Sequence, residues 1–444
     1  MVSAQQICDG KLPYIDFVFH QTPLLIFVYA VIPKLGYASL ILGRILSVML
    51  FAGSFLIFRG LLKGYTNKNA IALFSILFLL NTFMLNWAVS IKIYALSVFL
   101  LAAGFYFFKL FIDEPGKLNL IFCSLAFSFL FLTKIVFASC LGSFIIFTII
   151  FIYRYDKKII ISYTVIMLIS ILIPIMLFFL LLGHDFNIIY FNLFQINFLF
   201  RNYFKDPLLY ALFKNFIAFL LPQNLILILL ILFSGFNYTF FEKFIITNIV
   251  LFFIVHFASF MLPEYMVSVM PLVVLLAFLK FEKFKERFIN KYRQINPKRL
   301  LTYILALYII AAPFNLEHLK YLIEHRTLVF NPFEMMQLEN QIDKLQGRKI
   351  LSSWDAYSIF SNKSTSIKND YTSIQIIDYV DETTIKKYNL REPKEYEIMI
   401  KSREPDVIVY DRNNPLYLTG LETLIAQNYN KVFEYKYIVV YRKM

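Results

Sequence analysis

Gly10-Lys11-Leu12-Pro13-Tyr14-Ile15-Asp16-Phe17, followed by Phe19-His20-Gln21-Thr22-Pro23-Leu24, stands directly ahead of a long series of apolar windows. A turn-rich, partly charged segment cannot continue into a bilayer as a helix, so it reads as a wet loop at a membrane face. Loops held by a rigid scaffold are where binding and catalytic groups tend to sit. Hydrophobic residues make up 59% of the chain, aromatics 18% and charged residues only 16%, with 51 Phe and 29 Tyr. Uncharged windows of about 18–24 residues recur, long enough for a ~30 Å hydrocarbon core. The fold class is therefore mainly α: a polytopic helical membrane bundle with a small soluble domain behind it.

The net charge of +14 is uneven: from Glu317 onward 18 basic and 18 acidic residues balance, so the excess lies in residues 1–316. There the basic residues fall in short loops between apolar segments, which speaks for orientation in the membrane rather than nucleic-acid binding. Cys8, Cys123 and Cys140 have no metal-like spacing and no disulfide pattern.

Ten spans are expected, at about 38–60, 70–88, 93–112, 118–134, 136–153, 159–182, 214–235, 244–262, 265–280 and 300–316. The basic groups Arg59 to Lys68, Lys109 with Lys117, Arg154 to Lys158, and Lys280 to Arg299 follow alternate spans. Placing them in the cytoplasm puts residues 1–22 and the tail outside. Pro23–Pro33 is apolar but too short to cross, so it reads as an interfacial or re-entrant helix. Gly183–Lys214 is aromatic with scattered charges and reads as a second external loop with a helix on the membrane surface. From residue 317 the pattern alternates helix and strand, giving an α/β domain of about 110 residues. It carries no glycine-rich phosphate loop, nucleophile elbow or metal signature, and a lid or docking role is expected of it.

Four short stretches resemble the polytopic type-C glycosyltransferases, in the branch of the protein O-mannosyltransferases and aminoarabinose transferases. They are the Gly10–Leu24 loop, Gly43-Arg44-Ile45-Leu46-Ser47, Ser90-Ile91-Lys92-Ile93-Tyr94-Ala95-Leu96-Ser97, and Phe131-Leu132-Thr133-Lys134. The weaker Pro263-Glu264-Tyr265 joins them. The resemblance implies transfer of a sugar from a polyprenyl- or dolichyl-phosphate carrier to a protein, lipid or glycan hydroxyl outside the membrane. A carboxylate near the acceptor would serve as base, and cations would stabilise the departing phosphate. On this resemblance Lys134, Lys92, Arg44 and His20 are carrier-phosphate candidates. Tyr14, Tyr94, Glu264 and Tyr265 are further substrate-binding candidates.

Asp16 can act as base, orient the acceptor, or cap the helix that follows. Asp9 is a weaker candidate beside a turn glycine. Lys92 and Lys134 lie near span ends, where snorkelling offers a structural alternative to phosphate contact. Relatives carry an acidic residue one to two dozen residues before the Gly-x-x-Pro-Tyr segment, after a first span. No acidic residue stands that far ahead of Gly10 here, so the native chain extends upstream, catalysis rests on Asp16 or Asp9, or the chain is inactive as it stands. Glu264 stands where many relatives have a basic residue. No cofactor is implied with certainty, and a divalent metal stays open. A transporter or flippase for a lipid-linked glycan and a non-catalytic membrane subunit are the alternatives from other classes.

Overall fold

The computed structural model describes residues 2–33, 35, 39–62, 68–88, 90–182, 186–203, 220–258, 263–291, 297–315, 332–353, 364–365, 377–388, 390, 392–413 and 418–444. The chain divides into two compact units. One holds Met1–Gly43, Leu182–Lys205 and Phe330–Met444, the other Arg44–Leu181 and Asp206–Val329.

The second unit is helical. Among the described residues four helices are long and apolar enough to cross a membrane: Ile41–Leu61, Ile93–Asp113, Ile135–Tyr155 and Lys157–Leu180. A fifth is the pair Ile71–Leu79 and Thr82–Ala88, bent by 57°. Helices also occupy Lys117–Phe131, Pro222–Phe233, Phe240–Ala258, Met270–Lys291 and Pro297–Ala311, within or overlapping the other expected spans. The many phenylalanines form much of the packing. Phe105 stacks on Phe244 at 4.7 Å and Phe127 on Phe144 at 4.8 Å. Helices Ile93–Asp113 and Lys117–Phe131 approach closely because Gly104 has no side chain: a Cβ there would lie 2.9 Å from the Phe127 ring.

The break at Leu80–Asn81 interrupts what the sequence alone reads as one continuous span. Asn81 caps the second piece, its Oδ1 accepting the Met84 N–H at 2.9 Å. The Leu77 carbonyl accepts from the Tyr308 hydroxyl at 2.7 Å, and the Leu80 carbonyl from Gln223 Nε2 at 2.8 Å. Gln223 Oε1 takes the Thr82 N–H at 3.0 Å, and Asn81 Nδ2 donates to Tyr308 and to Asn224. In lipid each unsatisfied backbone group costs several kcal/mol, so these buried side chains are what make the kink tolerable.

A second buried polar cluster joins Phe240–Ala258 to Met270–Lys291. Thr239 and Glu242 form a reciprocal cap: Glu242 Oε2 accepts the Thr239 N–H at 2.8 Å, and Thr239 Oγ1 accepts the Glu242 N–H at 3.2 Å. Lys280 Nζ donates to the same Glu242 oxygen at 2.9 Å and to the Asn237 carbonyl at 2.5 Å, and it lies 3.9 Å over the Tyr238 ring.

The first unit is built around a five-stranded sheet of order β2-β1-β3-β5-β4. Its strands are β1 (Lys349–Ser352), β2 (Ser364–Thr365), β3 (Val407–Asp411), β4 (Tyr429–Tyr435) and β5 (Ile438–Lys443). β2, β1 and β3 are parallel, whereas β5 and β4 close the sheet as an antiparallel hairpin. Side-chain alternation sends Ile350, Val407, Val409, Ile438 and Val440 to one face with Leu338 and Ile342 of helix Pro332–Asp343. Leu351, Ile408, Tyr410, Val439 and Tyr441 face the other way, onto Tyr396, Ile400 and Ile425 of helices Pro393–Lys401 and Glu422–Asn428.

Asp406 pins the start of β1 to that of β3 by accepting the N–H groups of Arg348 at 2.7 Å and Lys349 at 2.9 Å. Those backbone donors, that of Lys349 foremost, hold its carboxyl below the ordinary 3.8. A lowered carboxyl stabilises the fold above its unfolded-state value, and that stability is lost as pH falls through the lower folded-state value. We expect Asp406→Asn to cost only about 0.5–1 kcal/mol at neutral pH, because the site is largely solvated. Thermal unfolding of the variant should also fall less steeply than the parent's as the pH drops below 3.8.

The same unit gathers two further segments onto the tail. Phe191 stacks on Tyr388 with ring centroids 3.7 Å apart and planes 3° from parallel. Phe191, Ile196 and Leu390 are buried together, with Val18 and Leu199 packed against them. The segment 186–203 is helical, with a π turn over Phe191–Gln195. Residues 183–185 and 204–214 of the expected loop, and the first residues of the expected span at about 214–235, lie outside the described residues.

Candidate functional site

The candidate residues fall into two groups, one in each unit. In the first unit, the opening helix Val2–Cys8 ends at Gly10, whose φ of +80° glycine adopts without strain. Asp9 sits on that exposed end and accepts from Gln5 Nε2 at 3.0 Å, the geometry of a turn residue. The loop then folds on itself. Tyr14 N–H donates to the Phe17 carbonyl at 2.8 Å, and Asp16 N–H donates to the Leu12 carbonyl at 2.9 Å. Asp16 Oδ2 accepts the Leu12 N–H at 2.7 Å. One carboxylate oxygen thus closes the loop, while Oδ1 makes no hydrogen bond among the described residues.

Tyr14 takes a φ of +72°, rare for a residue with a Cβ. Its ring is buried and its hydroxyl donates to the Gln21 carbonyl at 2.7 Å. Burial pushes the phenol well above its usual value, and its hydrogen bond to Gln21 ties the two ends of the loop together. The ring of Phe19 lies beside those of Tyr14 and His20. Two asparagines hold the backbone here: Asn192 Oδ1 accepts the Phe19 N–H at 3.0 Å, and Asn197 Nδ2 donates to the His20 carbonyl at 3.1 Å. The π turn explains the pairing, because a five-residue spacing falls on one side of a helix only where it widens to i→i+5. Thr22 is buried, and Leu24–Tyr29 follows as a short helix.

In the second unit, three of the resembling motifs meet around the 3-10 turn Pro263–Ser268. Lys134 ends the Lys117–Phe131 segment in an extended conformation, φ −160° and ψ 133°, and its Nζ lies 3.2 Å from the centre of the Tyr265 ring. Three residues on, Ser268 Oγ lies 3.2 Å from Ser97 Oγ of helix Ile93–Asp113. That helix begins after Lys92, also extended, whose Nζ lies 4.3 Å over the Trp87 ring. Trp87 packs edge-on against the buried Tyr94 at 6.2 Å. One short turn therefore ties the Lys134 and Lys92 neighbourhoods together, each ammonium over an aromatic face. Such a cation–ring contact contributes about 0.5–2 kcal/mol.

Arg44, the first residue of the second unit, is half-buried in helix Ser39–Leu61. The buried partner that its place inside a span suggests is not found, for it makes no hydrogen bond or ion pair among the described residues. Glu264 lies in the Pro263–Ser268 turn, with its side chain outside the described residues. Among the described residues no group of three or more His, Cys, Asp or Glu is placed to hold a metal. Sequence reasoning missed Asn192 and Asn197, which lie far along the chain. The aromatic partners of both lysines were within reach: Trp87 precedes Lys92 by five residues, and Tyr265 was itself a candidate.

No family model matches the sequence, and no curated protein does. Solved structures resemble it. The crystal structure of ArnT from Cupriavidus metallidurans bound to undecaprenyl phosphate aligns with 99% of this chain and 92% of that one, at a TM-score of 0.64 and 14% identity. The same protein in the apo state aligns with 99% and 91%, at a TM-score of 0.59 and 13% identity. ArnT is an aminoarabinose transferase of the type-C glycosyltransferase class. The chain is an integral membrane protein with that fold, in line with the resemblance carried by its motifs.

Proposed function

We propose that this protein is a membrane glycosyltransferase that takes a sugar from a polyprenyl- or dolichyl-phosphate carrier. It passes the sugar to an acceptor hydroxyl on a protein, lipid or glycan at the external face. The observation that carries this reading is the near-full-length likeness to an ArnT structure holding undecaprenyl phosphate. On this reading residues 1–316 supply the transferase part, and residues 317–444 form an external domain.

Lys134 and Lys92 suit the carrier phosphate. Lys134 is half-buried and Lys92 exposed, both stand extended at helix ends, and each lies over an aromatic ring. A leaving phosphate gains charge as the glycosidic bond breaks, and cations in a water-poor site stabilise that charge most where it is greatest. Arg44 and His20 are secondary carrier-phosphate candidates. Asp16 offers Oδ1 to the acceptor while Oδ2 fixes its loop, so it can take the hydroxyl proton as the new bond forms. Tyr94, Glu264 and Tyr265 shape the donor side.

Native mass spectrometry of the purified protein with undecaprenyl phosphate, against undecaprenol, tests the carrier. Selective retention of the phosphate form, weakened by Lys134→Met, is the expected result. Equal retention of the two lipids would remove the phosphate from the reading.

A further inference from the structure

Lys92 and Lys134 are both reached from one short helix, Thr82–Ala88, inside a single compact unit. A straight span would satisfy its own backbone through Leu80 and Asn81. Here the pair Ile71–Leu79 and Thr82–Ala88 turns by 57° instead, and buried side chains take up the groups the break releases. Gln223 stands at the centre of that network and is fully buried. Its Oε1 receives the Thr82 N–H at 3.0 Å and lies 2.9 Å from the Thr82 hydroxyl. Its Nε2 donates to the carbonyls of Leu80 at 2.8 Å and Tyr308 at 3.0 Å. One amide therefore fastens both sides of the break to helix Pro297–Ala311.

The other end of the short helix carries the ring contacts. The Trp87 face lies 4.3 Å from Lys92 Nζ. The next turn ties the two residues together: the Ser90 N–H and hydroxyl both donate to the Trp87 carbonyl, at 3.2 and 2.5 Å, and the Ser90 carbonyl accepts the Lys92 N–H at 2.8 Å. The same helix packs against the turn Pro263–Ser268, whose Tyr265 ring lies 3.2 Å from Lys134 Nζ. With a rise of about 1.5 Å per residue, straightening the 57° bend would move Trp87 by about 7 Å. A displacement of only about 1 Å caused from a distance can cost about 10²-fold in rate.

We infer that Gln223 is a positioning residue for the Lys92–Trp87 and Lys134–Tyr265 pairs, acting through helix Thr82–Ala88. Burying Asn81, Gln223, Asn224 and Tyr308 in an apolar bundle has a desolvation cost that an unbroken span would not incur. Such departures from local rules gather at functional sites, and this one aims the helix at both lysine neighbourhoods. The bearing on sugar transfer rests on the carrier-phosphate role proposed for the lysines; the placement itself does not.

Trp87 emission tests the placement. The chain has two tryptophans, Trp87 and Trp354, so Trp354→Phe leaves Trp87 as the single reporter in the full chain in lipid nanodiscs. An ammonium on an indole face perturbs its emission, and Lys92→Met should shift the Trp87 spectrum. In a Gln223→Leu background most of that shift should vanish, because ring and ammonium no longer meet. Gln223→Glu should keep it: a carboxyl buried there stays neutral, with an acceptor for Thr82 and one donor. Thr82→Val is the second variant should Gln223→Leu not assemble. A shift of equal size in the parent and in folded Gln223→Leu or Thr82→Val protein would overturn the inference, as would no shift in the parent. Turnover is read separately, and Gln223→Leu should lower it by up to about 10²-fold, with Gln223→Glu restoring most of the loss. Unimpaired transfer in a Gln223→Leu protein that has lost the shift would overturn the bearing on catalysis. If the spectral result holds while the parent retains undecaprenyl phosphate no better than undecaprenol, the carrier reading fails and the positioning stands.

Discussion

Lys134→Met is expected to lower sugar transfer by about 10²–10³-fold, the usual cost of removing one group that stabilises developing transition-state charge. Lys134 Nζ lies 3.2 Å from the centre of the Tyr265 ring. A cation on an aromatic face is worth about 0.5–2 kcal/mol, whereas the predicted loss corresponds to about 2.7–4 kcal/mol at the transition state. A loss of that size would fit an anion that the lysine meets during turnover. The two roles separate by experiment. Lys134→Arg keeps the charge and the ring contact and should retain substantial activity. Tyr265→Leu removes the ring but leaves the cation, and should cost far less than Lys134→Met. Turnover in proteoliposomes measures all three. If Lys134→Met and Tyr265→Leu are equally impaired, the lysine is a packing residue and the carrier phosphate lies elsewhere.

Lys280→Met is expected to destabilise the protein by about 3–5 kcal/mol, because it leaves a buried carboxylate without its counter-charge. The side chains of Lys280 and Glu242 are 0% and 7% exposed, and they are joined by a 2.9 Å contact. After the single substitution the Glu242 carboxylate keeps the Thr239 N–H but has lost its cation. The double variant Lys280→Met with Glu242→Gln should recover most of the loss. It removes both charges, and the amide oxygen can still receive the Thr239 N–H. Denaturation in detergent micelles, followed by helical signal, checks both. Were the double variant as unstable as the single one, the pair would matter through shape rather than charge.

Much of this architecture is legible in the sequence, for identifiable reasons. Apolar windows about as long as the hydrocarbon core is thick mark the four long membrane helices directly, and β1, β3 and β5 announce themselves as short apolar runs rich in Ile and Val. The bent pair Lys68–Leu79 and Thr82–Ala88 is harder to read. Its break depends on Gln223 and Tyr308, more than a hundred residues away, which accept and donate where the helix stops. Residues 377–388 look like loop because helix Glu382–Tyr388 is short and polar. It is fixed by the stacking of Tyr388 on Phe191, which no local pattern reports. At the site, Lys134 and Lys92 stand out as charges in apolar surroundings. Asp16 also stands out, but its Oδ2 bond to the Leu12 N–H is a loop closure that only coordinates reveal. The asparagines that hold the backbone at Phe19 and His20 owe their joint reach to a π turn, which has no sequence signature.

The most direct test of the central claim is turnover itself: reconstitution of the full chain in proteoliposomes with a panel of polyprenyl-phosphate sugars, and measurement of carrier phosphate released with sugar gained by an acceptor. The account predicts release that depends on a lipid-phosphate sugar and falls sharply with Lys134→Met. Movement of the lipid-linked sugar across the bilayer with its glycosidic bond intact, and no release with any donor, would contradict it.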